Sequence, residues 1–255
     1  MGGAIVAGLI ARNFTRITVI DPALPSLEGV QVLPSFEAYD GPNPAAVVLA
    51  IKPQLMDQVL PPLATSLRHS LVISIAAGKS LAFFQDIFGK EARLVRAMPN
   101  LPAAIGAGMT GWIGSANLTA EDRAIAQDVL GATGQAHEVD TQAQIDAWTA
   151  IAGSGPAYLF HFLEGLSAAA QDLGFASKLS QDLALQTVLG AAQLAAQSDD
   201  SFATLRENVT SPGGTTAAGL AELEGHLVPL LHAAAQAALQ RSQELGEELG
   251  QGANS

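Results

Sequence analysis

Wholly apolar runs too short to make a helix recur through the first half of this chain, and each is followed by a stretch with helical spacing. Residues 46–51 (AVVLAI) and 71–75 (LVISI) have no polar alternation, as expected of strands buried on both faces. Residues 16–20 (RITVI), 30–33 and 93–97 (RLVRA) are further strand patterns. Helical patterns cover 2–12, 54–67 and 81–88, and later strands at 110–113 and 136–139 flank a helix at 119–130. Strand–helix alternation at this spacing predicts parallel βαβ units. From about residue 145 the strand patterns stop. Ala, Leu and Gln then dominate periodic stretches at 155–173, 180–196 and 227–249, while 250–255 reads as a frayed tail. The expected division is 1–144 for an α/β unit and 145–255 for a helical one, whose Ala-rich surfaces suit close helix pairing within or between subunits.

Composition narrows the function. Only 14% of residues are charged, the formal net charge is −12, and Lys and Arg form no cluster, so a nucleic-acid partner is not expected. An anionic ligand must therefore be held by local devices such as helix amino termini rather than by a global positive field. The absence of cysteine excludes disulfides, thiolate catalysis and zinc-thiolate sites, and is compatible with a reducing cytoplasm. The longest uncharged stretch, 97–120, is interrupted by Pro99 and Pro102 and does not read as a membrane helix. No basic leader follows Met1. The five histidines lack metal-ligand spacing, so no metal site is expected.

Several segments could carry chemistry, and each has a plainer structural reading beside it. MGGAIVAGLIARN has the texture of the helix that follows a Rossmann phosphate loop, with Gly2 as the third glycine of G-x-G-x-x-G, or of an ordinary helix that starts on small residues. The first strand and first two glycines of that motif are not in the sequence, and a start further upstream is expected. Asp21 ends the second strand of such a unit, where an acid accepts from the adenosine ribose hydroxyls and disfavours a 2′-phosphate. Alternatively, Asp21-Pro22 is a turn. Ala50, Lys52 and Pro53 close an apolar strand at the edge where open α/β sheets bind ligands, which puts Lys52 near a cofactor phosphate or ribose, or in solvent. Ala97, in Arg96-Ala97-Met98-Pro99-Asn100, leaves room for a flat ring, or belongs to a rigid loop in which Asn100 caps a helix. Gly153-Ser154-Gly155-Pro156 opens the helical half. Asn208 precedes Ser211-Pro212-Gly213-Gly214-Thr215-Thr216, a run that leaves backbone N–H groups free at the start of an apolar helix. With its hydroxyls it is suited to a carboxylate, or to simple helix capping.

Four of these segments, in order, resemble the pyrroline-5-carboxylate reductases: 47–54 (VVLAIKPQ), 96–102 (RAMPNLP), 145–147 with 152–158, and 205–224. The resemblance implies an α/β Rossmann-type amino-terminal domain and an all-α carboxyl-terminal dimerisation domain, with dimers that assemble into larger rings. It implies an oxidoreductase of proline biosynthesis that transfers hydride from NADPH or NADH to Δ1-pyrroline-5-carboxylate. Carried onto this sequence, Ser211, Gly213, Gly214, Thr215 and Thr216 bind the substrate carboxylate, with Ser211 and Thr216 as the catalytic pair. Gly2, Asp21, Ala50, Lys52, Pro53, Ala97 and Asn208 lie along the cofactor. The chain departs from the family pattern at its beginning, where absence of a central first strand would expose two neighbouring strand edges. It also departs at Trp148, where a smaller apolar residue is commoner, and at Asp21-Pro22, which lacks a basic neighbour. Two other readings stand beside this one: a Rossmann-derived scaffold without activity, and a 3-hydroxyacid-dehydrogenase-like reductase. The second expects a lysine on the long interdomain helix, and 155–173 contains none.

Overall fold

The computed structural model describes residues 1–251, with side chains to Glu248. It divides into two compact units: Met1–Ser154 with the chain from Ala238 onwards, and Gly155–Ala237.

The first unit opens with helix α1 (Gly2–Ala11), followed by strands β1 (Thr18–Ile20) and β2 (Gln31–Leu33), which pair in parallel as a separate two-stranded sheet. Strand β3 (Ala46–Leu49) leads through short helices α2 (Met56–Val59) and α3 (Ala64–Leu67) to β4 (Leu71–Ser74). Then come α4 (Leu81–Phe88), β5 (Leu94–Met98), β6 (Gly108–Gly114), α5 (Ala120–Gly131), β7 (Gly134–Glu138) and α6 (Gln142–Trp148). The second sheet has the order β3-β4-β5-β6-β7. β1, β2, β3 and β7 are each paired on one side only.

Two expectations need correction. The unit is not wholly parallel, because β6 runs antiparallel to β5, with Ala97 opposite Trp112. Only residues 99–107 join these strands, too few for the crossover of about a dozen residues that a parallel partner requires. The helix expected over 54–67 is instead four short turns, because Pro61 and Pro62 lack the N–H groups a continuous helix needs. Those turns still bury Met56, Leu60 and Leu67.

The uninterrupted apolar strands behave as their composition requires: every residue of β4 is buried, and Leu94 to Ala97 of β5 are too. Pleating sends Ile73, Val95 and Ala97 to a cluster with Ile5 and Leu9 of α1 and Leu130 of α5, and sends Val72 and Leu94 to one with Met56 and Phe84. Two glycines permit closer contact than any other residue would. A Cβ on Gly8 would lie 2.2 Å from the carbonyl oxygen of Ala132, and one on Gly111 would lie 2.5 Å from the Trp148 ring. Trp148 is thus seated on a bare backbone, with its indole N–H pointing to the carbonyl of Met109 at 3.4 Å.

A π turn, Thr149–Gly153, connects α6 to α7 (Gly155–Asp172), whose first turn carries Pro156 as its geometry allows. Helices α8 (Ser177–Gln197), α9 (Phe202–Asn208), α10 (Thr215–Leu223) and α11 (Leu227–Gln251) follow. α11 already includes Gly250 and Gln251; the remainder of the tail expected at 250–255 lies outside the described residues. In the second unit the buried residues are Ser167, Ser180 and Ala184, while Phe160, Phe162, Leu185, Leu194 and Leu230 all stay exposed. Among the described residues no helix is long and apolar enough to cross a membrane.

Candidate active site

At the first residue of α1, a Cβ on Gly2 would come within 3.0 Å of the Ala50 Cβ, so these two small residues bring the helix start against the carboxyl end of β3. Lys52 is exposed there, and Pro53 begins the turn that follows. Asp21 stands at the carboxyl end of β1, where its N–H donates to the Leu33 carbonyl at 3.0 Å. Its Oδ1 accepts from the Ala23 N–H at 2.8 Å, so the Asp21-Pro22 turn and an acid at the strand end are one and the same feature.

A cavity of about 320 Å³ opens at the carboxyl ends of β4 and β5. Its walls are Ala76, Ala77 and Gly78 after β4, Arg96, Ala97 and Met98 on β5, and Ile145, Thr149 and Ser154 from α6 and the π turn. Ala238, Arg241, Ser242 and Leu245 of α11 complete it. Ala97 lies within β5 itself rather than in a loop after it. Gly78 takes φ +76°, a left-handed turn that a side chain resists. With three alanines and a glycine at the strand ends, the walls are bare enough for a flat ring, so the residues present fit a nicotinamide.

Side chains behind these walls hold them. The Arg96 guanidinium donates to Asp146 Oδ1 at 2.8 Å and to Gln142 Oε1 at 3.4 Å, while the same Gln142 oxygen accepts the Leu81 N–H at 3.0 Å. Lys79, fully buried, donates to Asp57 at 3.1 Å and lies 3.8 Å from the centre of the Phe83 ring, fixing the turn beside Gly78. Asn100 does not cap its helix with its side chain. It donates to the Ala152 carbonyl at 3.0 Å and accepts the Met109 N–H at 2.9 Å, clasping the π turn to β6. On α11, Glu248 and then Glu244 hold the Arg241 guanidinium above its ordinary pKa, and Arg241, with help from Gln240, keeps the Glu244 carboxyl below its own.

The Ser211–Thr216 segment belongs to the second unit. Gly214 N-caps α10 without a side-chain bond, and its own N–H donates to the Ser211 carbonyl at 3.0 Å. Gly213 takes φ +70°, which favours glycine, and a Cβ on Gly214 would lie 2.4 Å from Ser211 Oγ, so a side chain there would make that hydroxyl move. Ser211, Thr215 and Thr216 are exposed around the helix start. Asn208 is the last residue of α9, exposed on the other side of this turn.

Sequence reasoning missed the Ala76–Gly78 turn, which the strand-end argument applied to β4 would have found, and the Lys79–Asp57 clamp beneath it. Arg241 and Ser242 carry no local signal, because a helical Arg-Ser pair looks like any solvated face.

Comparison with known proteins agrees with this arrangement. Residues 142–245 match the family profile described as pyrroline-5-carboxylate reductase dimerisation. The chain is 39% identical to the pyrroline-5-carboxylate reductase of Haemophilus influenzae, over 96% of this chain and 94% of that protein. It is 42% identical to that of Pseudomonas aeruginosa, over 80% and 76% respectively. A solved Coxiella burnetii pyrroline-5-carboxylate reductase superposes with a TM-score of 0.89 at 36% identity, covering 96% of this chain and 94% of that one. The Plasmodium falciparum pyrroline carboxylate reductase, solved with NADP bound, gives 0.82 at 30% identity with 96% of each chain covered. The chain belongs to the pyrroline-5-carboxylate reductase family. Neither the scaffold reading nor the hydroxyacid-dehydrogenase reading is favoured by these relatives.

Proposed function

We propose that the protein reduces Δ1-pyrroline-5-carboxylate to L-proline with NADPH or NADH, the last step of proline biosynthesis, as a cytoplasmic homodimer or ring of dimers. The observation that carries the reading is full-length similarity to reductases of this name, joined to a carboxylate-type helix entrance at Ser211–Thr216 and a bare-walled cavity at Ala97. The nicotinamide supplies a hydride to the imine carbon.

This chain's residues position and exclude. Ser211, Thr215 and Thr216, with the N–H groups that open α10, would bind the substrate carboxylate, and the dipole at that helix end favours the negative charge. The turn geometry of Gly213 and Gly214 presents those groups. Thr216 Oγ would also accept a hydrogen bond from the protonated ring nitrogen, whose positive charge makes the neighbouring carbon a better hydride acceptor. Gly2, Asp21, Ala50, Lys52, Pro53 and Asn208 would lie along the nucleotide, and Ala97 would meet the flat ring. Hydride transfer requires donor and acceptor within about 3–3.5 Å, so firm seating of both partners is the main catalytic contribution. No general acid is assigned.

The test is the kinetics of proline formation by the unaltered chain and by Thr216→Ala. Loss of one hydrogen bond to a charged group raises the substrate KM on the order of tenfold and leaves nucleotide affinity unchanged. Identical kinetics in the two proteins would remove Thr216 from this role.

A further inference from the structure

The end of β1 has a donor shortage that bears on which nucleotide can bind. In nucleotide-binding α/β units the adenosine ribose is read by an acid about 20 residues beyond the phosphate loop, at the end of the next strand. Asp21 stands at that spacing from Gly2 and at that strand end. Its Oδ1 is fixed by the Ala23 N–H at 2.8 Å, which orients the carboxylate and leaves Oδ2 as an acceptor. Ribose 2′- and 3′-hydroxyls are donors and satisfy such an acceptor; a 2′-phosphate brings only acceptors and negative charge.

Accommodating that phosphate would take N–H groups, hydroxyls or a cation, and the turn after Asp21 is poor in all three. Of the four residues after Asp21, Pro22 and Pro25 have no amide hydrogen and Ala23 spends its own on Asp21, so only Leu24 could donate. From Ile17 to Ile51, a span that includes β1, β2 and β3, there is no Lys, Arg or His, while Asp21, Glu28, Glu37 and Asp40 are all acidic. The cations that flank this span are Arg16, before β1 and so away from the strand end where Asp21 stands, and Lys52, after β3. We infer that the chain selects NADH over NADPH, with Asp21 as the specificity-determining residue, unlike the relative solved with NADP bound. This inference rests on the nicotinamide reading given above.

Calorimetric titration of the full chain with NADH and with NADPH, in the absence of imine substrate, tests it. NADH is expected to bind at least about tenfold more tightly, equivalent to roughly 1.4 kcal/mol. Asp21→Asn keeps an acceptor for the Ala23 N–H while removing the charge, and should narrow that ratio severalfold, chiefly by tightening NADPH. Equal or tighter NADPH binding to the unaltered chain, or a ratio unmoved by Asp21→Asn, would overturn the inference and leave the reductase reading intact. Failure of both nucleotides to bind would sink the inference and that reading together.

Discussion

Arg96 shows how single residues set this site. Its guanidinium is 9% exposed, its partner Asp146 is 20% exposed, and the residue after Arg96 is the Ala97 that lines the cavity. A buried charge pair is a poor source of net stability but a costly thing to break, because the remaining ion keeps its desolvation penalty. Asp146→Ala should therefore destabilise the fold by about 3 kcal/mol in denaturant titrations. Asp146→Asn, which keeps an oxygen for Arg96, should cost clearly less. An Asp146→Ala protein as stable as its parent would show that the pair does not hold the cavity wall. Residues of this kind were partly legible in advance: Arg96 and Asp146 each fall in a recognisable segment, but their pairing across 50 positions leaves no local trace. Asp21 illustrates the opposite case, where a turn and an acid placed at the strand end look like rival readings and are a single arrangement.

At the scale of elements, β4 and β5 were readable because burial on both faces demands continuous apolar runs, and a strand overlaps each of the expected segments. Direction was not readable. An apolar run has the same composition whichever way it points, so the antiparallel β6 follows from the short 99–107 link and not from its own residues. The expected helix over 54–67 failed at Pro61-Pro62, a breaker visible in the sequence that the apolar periodicity outweighed. The small helix α6 escaped notice although Thr141 and Gln144 form a capping box at its start. The entrance to α10 was legible because Gly213 answers to the left-handed conformation of that turn and Gly214 leaves the Ser211 hydroxyl its place.

For the whole molecule, the two units bury their residues very differently. The first unit has apolar clusters on both sides of its sheet, whereas the second leaves most of its large apolar side chains in contact with solvent. Exposed apolar area on that scale marks an association surface. The match of residues 142–245 to a dimerisation family indicates a second copy as the partner. Sedimentation at micromolar concentration should give at least twice the monomer mass, and a stable, folded monomer would contradict this account of the second unit. The central claim, that this chain reduces a cyclic imine to proline, is tested most directly by following the hydride. With nicotinamide cofactor deuterated at the transferring position, incubation with Δ1-pyrroline-5-carboxylate should yield L-proline carrying one deuterium at C5 by mass spectrometry. Proline without the label, or no proline at all from a protein that binds the cofactor, would contradict it.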